Sequence, residues 1–116
     1  MEQRGKIAVV TMTYNDGYKI KEWRQWYDEV KGEIDFYIVV DNGSSPDYLQ
    51  LIRDNFSDSV LIERKTNDGC TATYNDGIRY ALQDKDVDAI LIFGNDVRFA
   101  KGVISELHTF LYLMKN

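Results

Sequence analysis

Two kinds of apolar pattern alternate along the 116 residues. Short runs rich in β-branched residues fall at 7–12, 36–40, 60–63 and 89–93. They lack strict polar alternation, as expected of strands covered on both faces in a parallel sheet. Between and after them, apolar residues recur with helical spacing. Ile20, Trp23, Tyr27 and Val30 make one stripe, and Leu49, Ile52 and Phe56 a second. Ile78, Ala81 and Leu82 make a third, and Val103, Ile104, Leu107, Leu111 and Met114 a fourth. Stripes of this kind belong to helices that lay one face on a core. Ser45-Pro46 offers a capping hydroxyl followed by a proline at the first helical position, where a missing N–H is no loss. Asn42-Gly43 just before it is a turn. The predicted order is β-α-β-α-β-α-β-α, an α/β fold with a mostly parallel sheet, helices on both faces and right-handed crossovers.

Composition agrees with a folded domain: 44% hydrophobic and 28% charged residues supply a core without help from disulfides or a structural metal. The one cysteine, Cys70, excludes an internal disulfide and reads as a small semi-buried residue in a reducing compartment. The net charge of −5 argues against a nucleic-acid partner, and it means that an anionic ligand needs a local cation, which a divalent metal can supply. The apolar run after Lys6 is too short for a signal-peptide core, and no stretch nears the roughly 18 apolar residues of a membrane span. The expectation is a cytoplasmic domain, with any membrane association peripheral and made through other parts of a longer protein. Trp26 lies off the first stripe and is expected to be partly exposed; His108, with no second ligand one turn away, reads as a surface or capping residue. Tyr-Asn-Asp-Gly occurs twice, at 14–17 and 74–77, but the flanking residues do not match, so no repeat architecture follows.

In an open α/β sheet, ligands bind outside the carboxyl ends of the strands. The residues that follow the predicted strands are Thr13-Tyr14-Asn15-Asp16, Asp41-Asn42-Gly43-Ser44-Ser45, Lys65-Thr66-Asn67-Asp68-Gly69 and Gly94-Asn95-Asp96. All are polar and acids recur among them, which folding alone does not require. No G-x-G spacing and no G-x-x-x-x-G-K-[ST] occurs, so a dinucleotide fingerprint and a P-loop are both absent. A diphosphate bound here would need a metal held by carboxylates.

These strand ends resemble those of the family 2 glycosyltransferases, enzymes of the Rossmann-like GT-A type, over nearly the whole chain. Val9-Val10-Thr11-Met12-Thr13-Tyr14-Asn15 is similar to the family's first strand with its T-Y-N ending. Ile38-Val39-Val40-Asp41-Asn42-Gly43-Ser44 is similar to V-V-D-[DN]-G-S. Asn67-x-Gly69, then Asn75-x-Gly77 and Ala81, resembles the N-x-G…N-x-G…A segment, and Gly94-Asn95-Asp96 stands where D-x-D belongs. The resemblance implies that residues 1–116 are the nucleotide-sugar-binding portion of such a domain. It implies nucleotide contacts from Thr13, Tyr14, Asn15, Asp41, Asn67, Gly69, Asn75 and Asn95, and a Mn²⁺ or Mg²⁺ ion on Asp96. Asp41 is assigned to the ring N–H of a pyrimidine, so replacing it should weaken nucleotide binding and leave the melting temperature nearly unchanged; the alternative is an Asx-turn. Asn75 and Gly77 have a structural alternative as well, a polar anchor and close helix packing.

The implied reaction moves a sugar from a nucleoside diphosphate donor, of the UDP or dTDP type, to a hydroxyl of a saccharide or lipid-linked acceptor, metal-assisted and inverting. The alternative is a non-catalytic or degenerate nucleotide-sugar-binding module. Two features favour that alternative: Gly94 replaces the first acid of D-x-D, and the family's second half is missing here. Tyr74 also stands where the family often has an arginine, so any contact made by that arginine is absent. The catalytic base is unknown, because the family carries it in a second half beyond the D-x-D segment and the matching region here reads as truncated.

Overall fold

All four apolar runs become strands of one parallel sheet. The computed structural model describes residues 4–16 and 19–114. Within them lie β1 (Lys6–Thr13), α1 (Ile20–Val30), β2 (Phe36–Asn42), α2 (Pro46–Asn55), β3 (Val60–Arg64), α3 (Cys70–Ala81), β4 (Val87–Ile92) and α4 (Val103–Leu113), with a 3-10 turn at Lys31–Glu33. The strand order is β3-β2-β1-β4. Thr13 on β1 lies opposite Asp41 on β2, and Asp41 opposite Glu63 on β3, so the polar strand ends are drawn up side by side.

Crossover handedness explains which helix covers which face. The chain steps outward from β1 to β2 to β3, then returns past β1 to place β4 on its far side. Right-handed connections send helices of opposite steps to opposite faces. Accordingly Trp23 and Tyr27 of α1, Ile52 of α2 and Phe56 just after it pack with Ile7, Val9, Tyr37 and Val39 on one face, joined by Ile104 of α4. On the other face Ala81 of α3 packs with Ala8, Val10, Ile38 and Val40. Helix α3 lies so close to the sheet that a Cβ at Gly77 would fall 2.3 Å from a Val10 methyl, the close-packing role foreseen for that glycine. Ser45 caps α2 as expected, its hydroxyl accepting the Tyr48 N–H.

Four expectations are corrected. Trp26 is buried, because its indole reaches past the helix stripe to donate to the Phe99 carbonyl at 2.8 Å and to pack edge-on against Phe93. Leu82 is 64% exposed, since α3 ends at Ala81 and buries Thr73, Gly77 and Ala81 instead. Cys70 is exposed at the start of α3. The predicted stripe of α4 is buried only at its start: Ile104 is buried and Val103 half-buried, but Leu107, Leu111 and Met114 are exposed, and His108, expected at the surface, is buried in their place. Polar contacts set the helix's rotation. His108 Nε2 lies 2.7 Å from Asp88 Oδ1, and Glu33 accepts the N–H groups of Gly102 and Ser105, both at 2.9 Å, which caps the helix from the far end of α1.

Candidate functional site

The reversal of strand order at β1 leaves the carboxyl ends of β1 and β4 between helices that lie on opposite faces, the position where open sheets hold ligands. A cleft of about 370 Å³ opens there, lined from β1 and its loop by Met12, Tyr14 and Asp16, and from α1 and the residue before it by Trp23 and Lys19. Tyr74 of α3 and the segment Gly94, Asn95, Asp96 and Arg98 complete it. A broader depression of about 490 Å³ lies at the opposite end of the sheet against Phe36 and Tyr80, away from every strand-end motif.

Asp16 organises the cleft. Its Oδ1 accepts from the hydroxyls of Thr13 and Tyr48, each at 2.8 Å, and from the Tyr14 N–H at 3.3 Å. Its Oδ2 accepts from the Asn95 amide at 2.9 Å. The hydroxyls of Thr13 and Tyr48 also touch each other. Burial works to raise the Asp16 pKa, but the donors from Thr13, Asn95, Tyr48 and Tyr14 outweigh it and hold the carboxyl below its ordinary value of 3.8. Asp16 is therefore ionised at neutral pH and pins Asn95 in place. Burial also pushes the hydroxyl of Tyr48 upward, so it stays a donor to that carboxylate.

Asp96 is exposed at the rim. Its Oδ1 comes within 2.8 Å of where a Cβ on Gly94 would stand, so the missing side chain at 94 makes room for the carboxylate that remains. Tyr74 sits close enough for the Asp96 charge to help raise its pKa, after burial and Cys70. Among the described residues no three of His, Cys, Asp and Glu gather as a metal cage.

Of the residues expected to contact a nucleotide or metal, Tyr14, Asn95 and Asp96 line this cleft, and Thr13 stands just behind it holding Asp16. The others serve the adjoining loops. Asn15, at φ +47°, accepts the Ser45 N–H at 3.0 Å and donates its own N–H to Ser44 Oγ, tying the β1 loop to the β2 loop. Asp41 is wholly buried; Oδ2 accepts the N–H groups of Gly43 at 3.1 Å and Ser44 at 2.9 Å, the Asx-turn alternative, while Oδ1 has no partner among the described residues. Asn42 accepts from Thr73 and from the Asp68 N–H, and donates to Asn67. Asn67 in turn accepts the Gly69 N–H. Gly69, at φ +89°, turns the chain into α3, and Asn75 lies exposed on that helix away from the cleft. Asp16, Lys19 and Arg98 were not among the expected contacts. Their signal was local: each is a charged residue within a few positions of a strand-end motif.

The model of the family described as Glycosyl transferase family 2 matches residues 8–112. The chain belongs to glycosyl transferase family 2. Within reach of this family 2 chain is the low-salt glycan biosynthesis hexosyltransferase Agl10 of Haloferax volcanii, 29% identical over 103 residues, or 89% of this chain and 32% of that protein. Among solved structures, S. aureus TarS superposes with a TM-score of 0.74 at 21% identity, over 93% of this chain and 20% of its own. The mannosyltransferase PcManGT from Pyrobaculum calidifontis, in complex with GDP-Man and Mn²⁺, superposes with a TM-score of 0.76 at 19% identity, over 97% of this chain and 33% of its own. These two likenesses establish the fold, the GT-A arrangement of a parallel sheet flanked by helices. The chain spans about a third or less of each of these relatives.

Proposed function

We propose that this chain is the nucleotide-sugar-binding portion of a glycosyltransferase that moves a sugar from a nucleoside diphosphate donor to a hydroxyl acceptor with inversion. The observation that carries the reading is the cleft between β1 and β4, where one ionised carboxylate, Asp16, fixes the amide of Asn95 beside a second, exposed acid, Asp96. Tyr14 and Tyr74 offer aromatic faces for a base, and the Asn95 amide a polar group for the ribose. The named partners of the relatives support the donor class: GDP-Man for PcManGT, and a hexosyl group for Agl10.

The donor set suits a divalent ion only in part. Asp16 is committed to several hydrogen-bond donors, which leaves Asp96 as the one acid open to a metal. Mg²⁺ and Mn²⁺ commonly bind through one or two carboxylates and complete their shells with water and substrate phosphates. Asp96 therefore fits an ion that arrives with the diphosphate. When bound, such an ion supplies Lewis-acid stabilisation of the departing diphosphate. No residue of this chain is assigned as the base that takes the acceptor proton. No helix among the described residues is long and apolar enough to cross a membrane. The proposal places the domain in the cytoplasm, a setting that the exposed free thiol of Cys70 suits.

A melting-temperature panel of UDP, dTDP and GDP with and without Mn²⁺ tests the reading. One of the three should stabilise the protein, and more so with Mn²⁺; no shift from any of them would sink it. Gly94 favours a second reading, a module that binds the nucleotide sugar and does no chemistry. Slow hydrolysis of a UDP-sugar by the longer protein would exclude that version, and tight binding without turnover would support it.

A further inference from the structure

The cleft is not lined by acids alone. Arg24, Arg53, Arg64 and Arg79 each pair with a carboxylate elsewhere on the surface. Arg98 forms no ion pair among the described residues, although Asp16 and Asp96 line the same cleft. It is nonetheless held in place. One terminal nitrogen, Nη1, donates to the carbonyls of Asn95 and Val97, the latter at 3.1 Å. The guanidinium carbon stands 5.6 Å from the centre of the Trp26 ring, a cation–π contact. That ring is buried and is itself fixed through its N–H to the Phe99 carbonyl. The opposite edge of the guanidinium, Nη2 and Nε, has no partner among the described residues. A planar fork with one edge tethered and the other open is suited to phosphate, which it can meet with two parallel hydrogen bonds.

We infer that Arg98 is a diphosphate-binding residue whose open edge takes phosphate oxygens of the donor in the cleft. This rests on the proposed nucleotide-sugar reading and adds to it a source of positive charge within the protein. A site that presents one free carboxylate and a poised guanidinium does not leave the neutralisation of two phosphates to a metal alone.

The test uses the whole chain and three probes, inorganic pyrophosphate, UDP and uridine, titrated calorimetrically in EDTA and again in Mn²⁺. Arg98→Gln should weaken pyrophosphate and UDP about tenfold in EDTA, the loss of one charge-assisted contact. Uridine affinity should not change, and Arg98→Lys should keep part of the affinity because it keeps the charge without the fork. Equal loss for uridine and UDP would mean that the substitution merely loosens the loop, and would overturn the assignment. So would unchanged pyrophosphate and UDP affinity in Arg98→Gln, or a parent protein that binds neither in EDTA. If UDP binds no more tightly than pyrophosphate but both depend on Arg98, the anion site stands and the nucleotide reading fails.

Discussion

Two neighbouring strand ends carry the same kinds of residue in opposite states of enclosure. At the end of β2, Asp41, Asn42 and the facing Asn67 spend nearly all their hydrogen bonds on backbone and on each other. At the ends of β1 and β4, Asp16 and Asn95 also bond one another, but they do so on the wall of an open cleft, with Asp96 and Arg98 at its rim. Amides and carboxylates at strand termini can fasten loops or stand open to a ligand. Residue type does not separate the two; saturation and exposure do. A buried polar group left unsatisfied destabilises the fold, and most of the enclosed set is satisfied within the protein, Asp41 Oδ1 excepted.

The sharpest way to break this contrast is to damage the closed side and look for loss of folding rather than of binding. Gly43 turns the chain at φ +84°, and a Cβ there would lie 2.6 Å from the Thr66 carbonyl carbon. Gly43→Ala combines a left-handed conformation with a backbone clash, for a loss of about 3 kcal/mol in urea denaturation. A smaller loss, about 2 kcal/mol, is expected of Asp41→Ala, which strands the Gly43 and Ser44 N–H groups in a half-buried turn. This reverses the sequence-based expectation for Asp41, a binding defect with an unchanged melting temperature. Were Asp41→Ala to melt like the parent and lose UDP, the closed side would be a site after all, reached through the unpartnered Oδ1.

The open side should behave in the converse way. Asp96 is exposed, so Asp96→Asn should leave the unliganded melting temperature alone. It should cost about tenfold in UDP affinity with Mn²⁺ present and much less in EDTA, by losing the carboxylate offered to the ion. Equal affinity for both proteins in Mn²⁺ would remove Asp96 from the site. Gly94→Asp is the complementary gain. The Asp96 side chain is the flexible group that must move aside, and a second acid should then raise Mn²⁺ affinity measurably over the parent.

Much of the fold was legible because it depends on periodicity. The runs of β1 and β2 and the stripe of Ile20, Trp23, Tyr27 and Val30 report burial directly, whereas the edge strands β3 and β4 are mostly half-buried, with Ile92 exposed, because each has a neighbouring strand on one side alone. The last helix was misjudged because its rotation is decided by polar pairs distant in sequence, His108 with Asp88 and Glu33 with Gly102, which outweigh a weak apolar stripe. Motif position led to Tyr14, Asn95 and Asp96, which line the cleft, and equally to Asp41 and Asn67, which lie in the adjoining loops and bond mostly to their neighbours, with Asp41 Oδ1 left unpartnered among the described residues. The repeated Tyr-Asn-Asp-Gly shows the limit. Tyr14 and Tyr74 both line the cleft, but Asp16 anchors Asn95 there while Asp76 pairs with Arg64 and Arg79. Arg98 belongs to no motif, since what makes it noteworthy is the ring of Trp26 beneath it.

The smallest expected effect concerns how the rim of the cleft is held. The segment that carries Asn95, Asp96 and Arg98 runs into α4, and Glu33 closes that helix's first turn by accepting from Gly102 and Ser105. Burial acts to raise the Glu33 pKa, but those two backbone N–H groups, with the Ser105 side chain and Lys101, prevail and keep it below the ordinary 4.5. A carboxyl whose folded pKa is depressed binds its proton more readily in the unfolded chain. Its contribution is thus fully present above about pH 4.5 and is lost as pH falls through the lower, folded value. Glu33→Gln keeps one acceptor and loses the charge at the helix start, so it should be less stable than the parent by about 1 kcal/mol at pH 7. That difference should shrink as denaturation is repeated between pH 5 and pH 3. A gap that stays constant over this range would show that Glu33 acts by shape alone. A gap that closes, with UDP affinity at pH 7 altered little, would place the capping carboxylate among the supports of the open side and outside its binding surface.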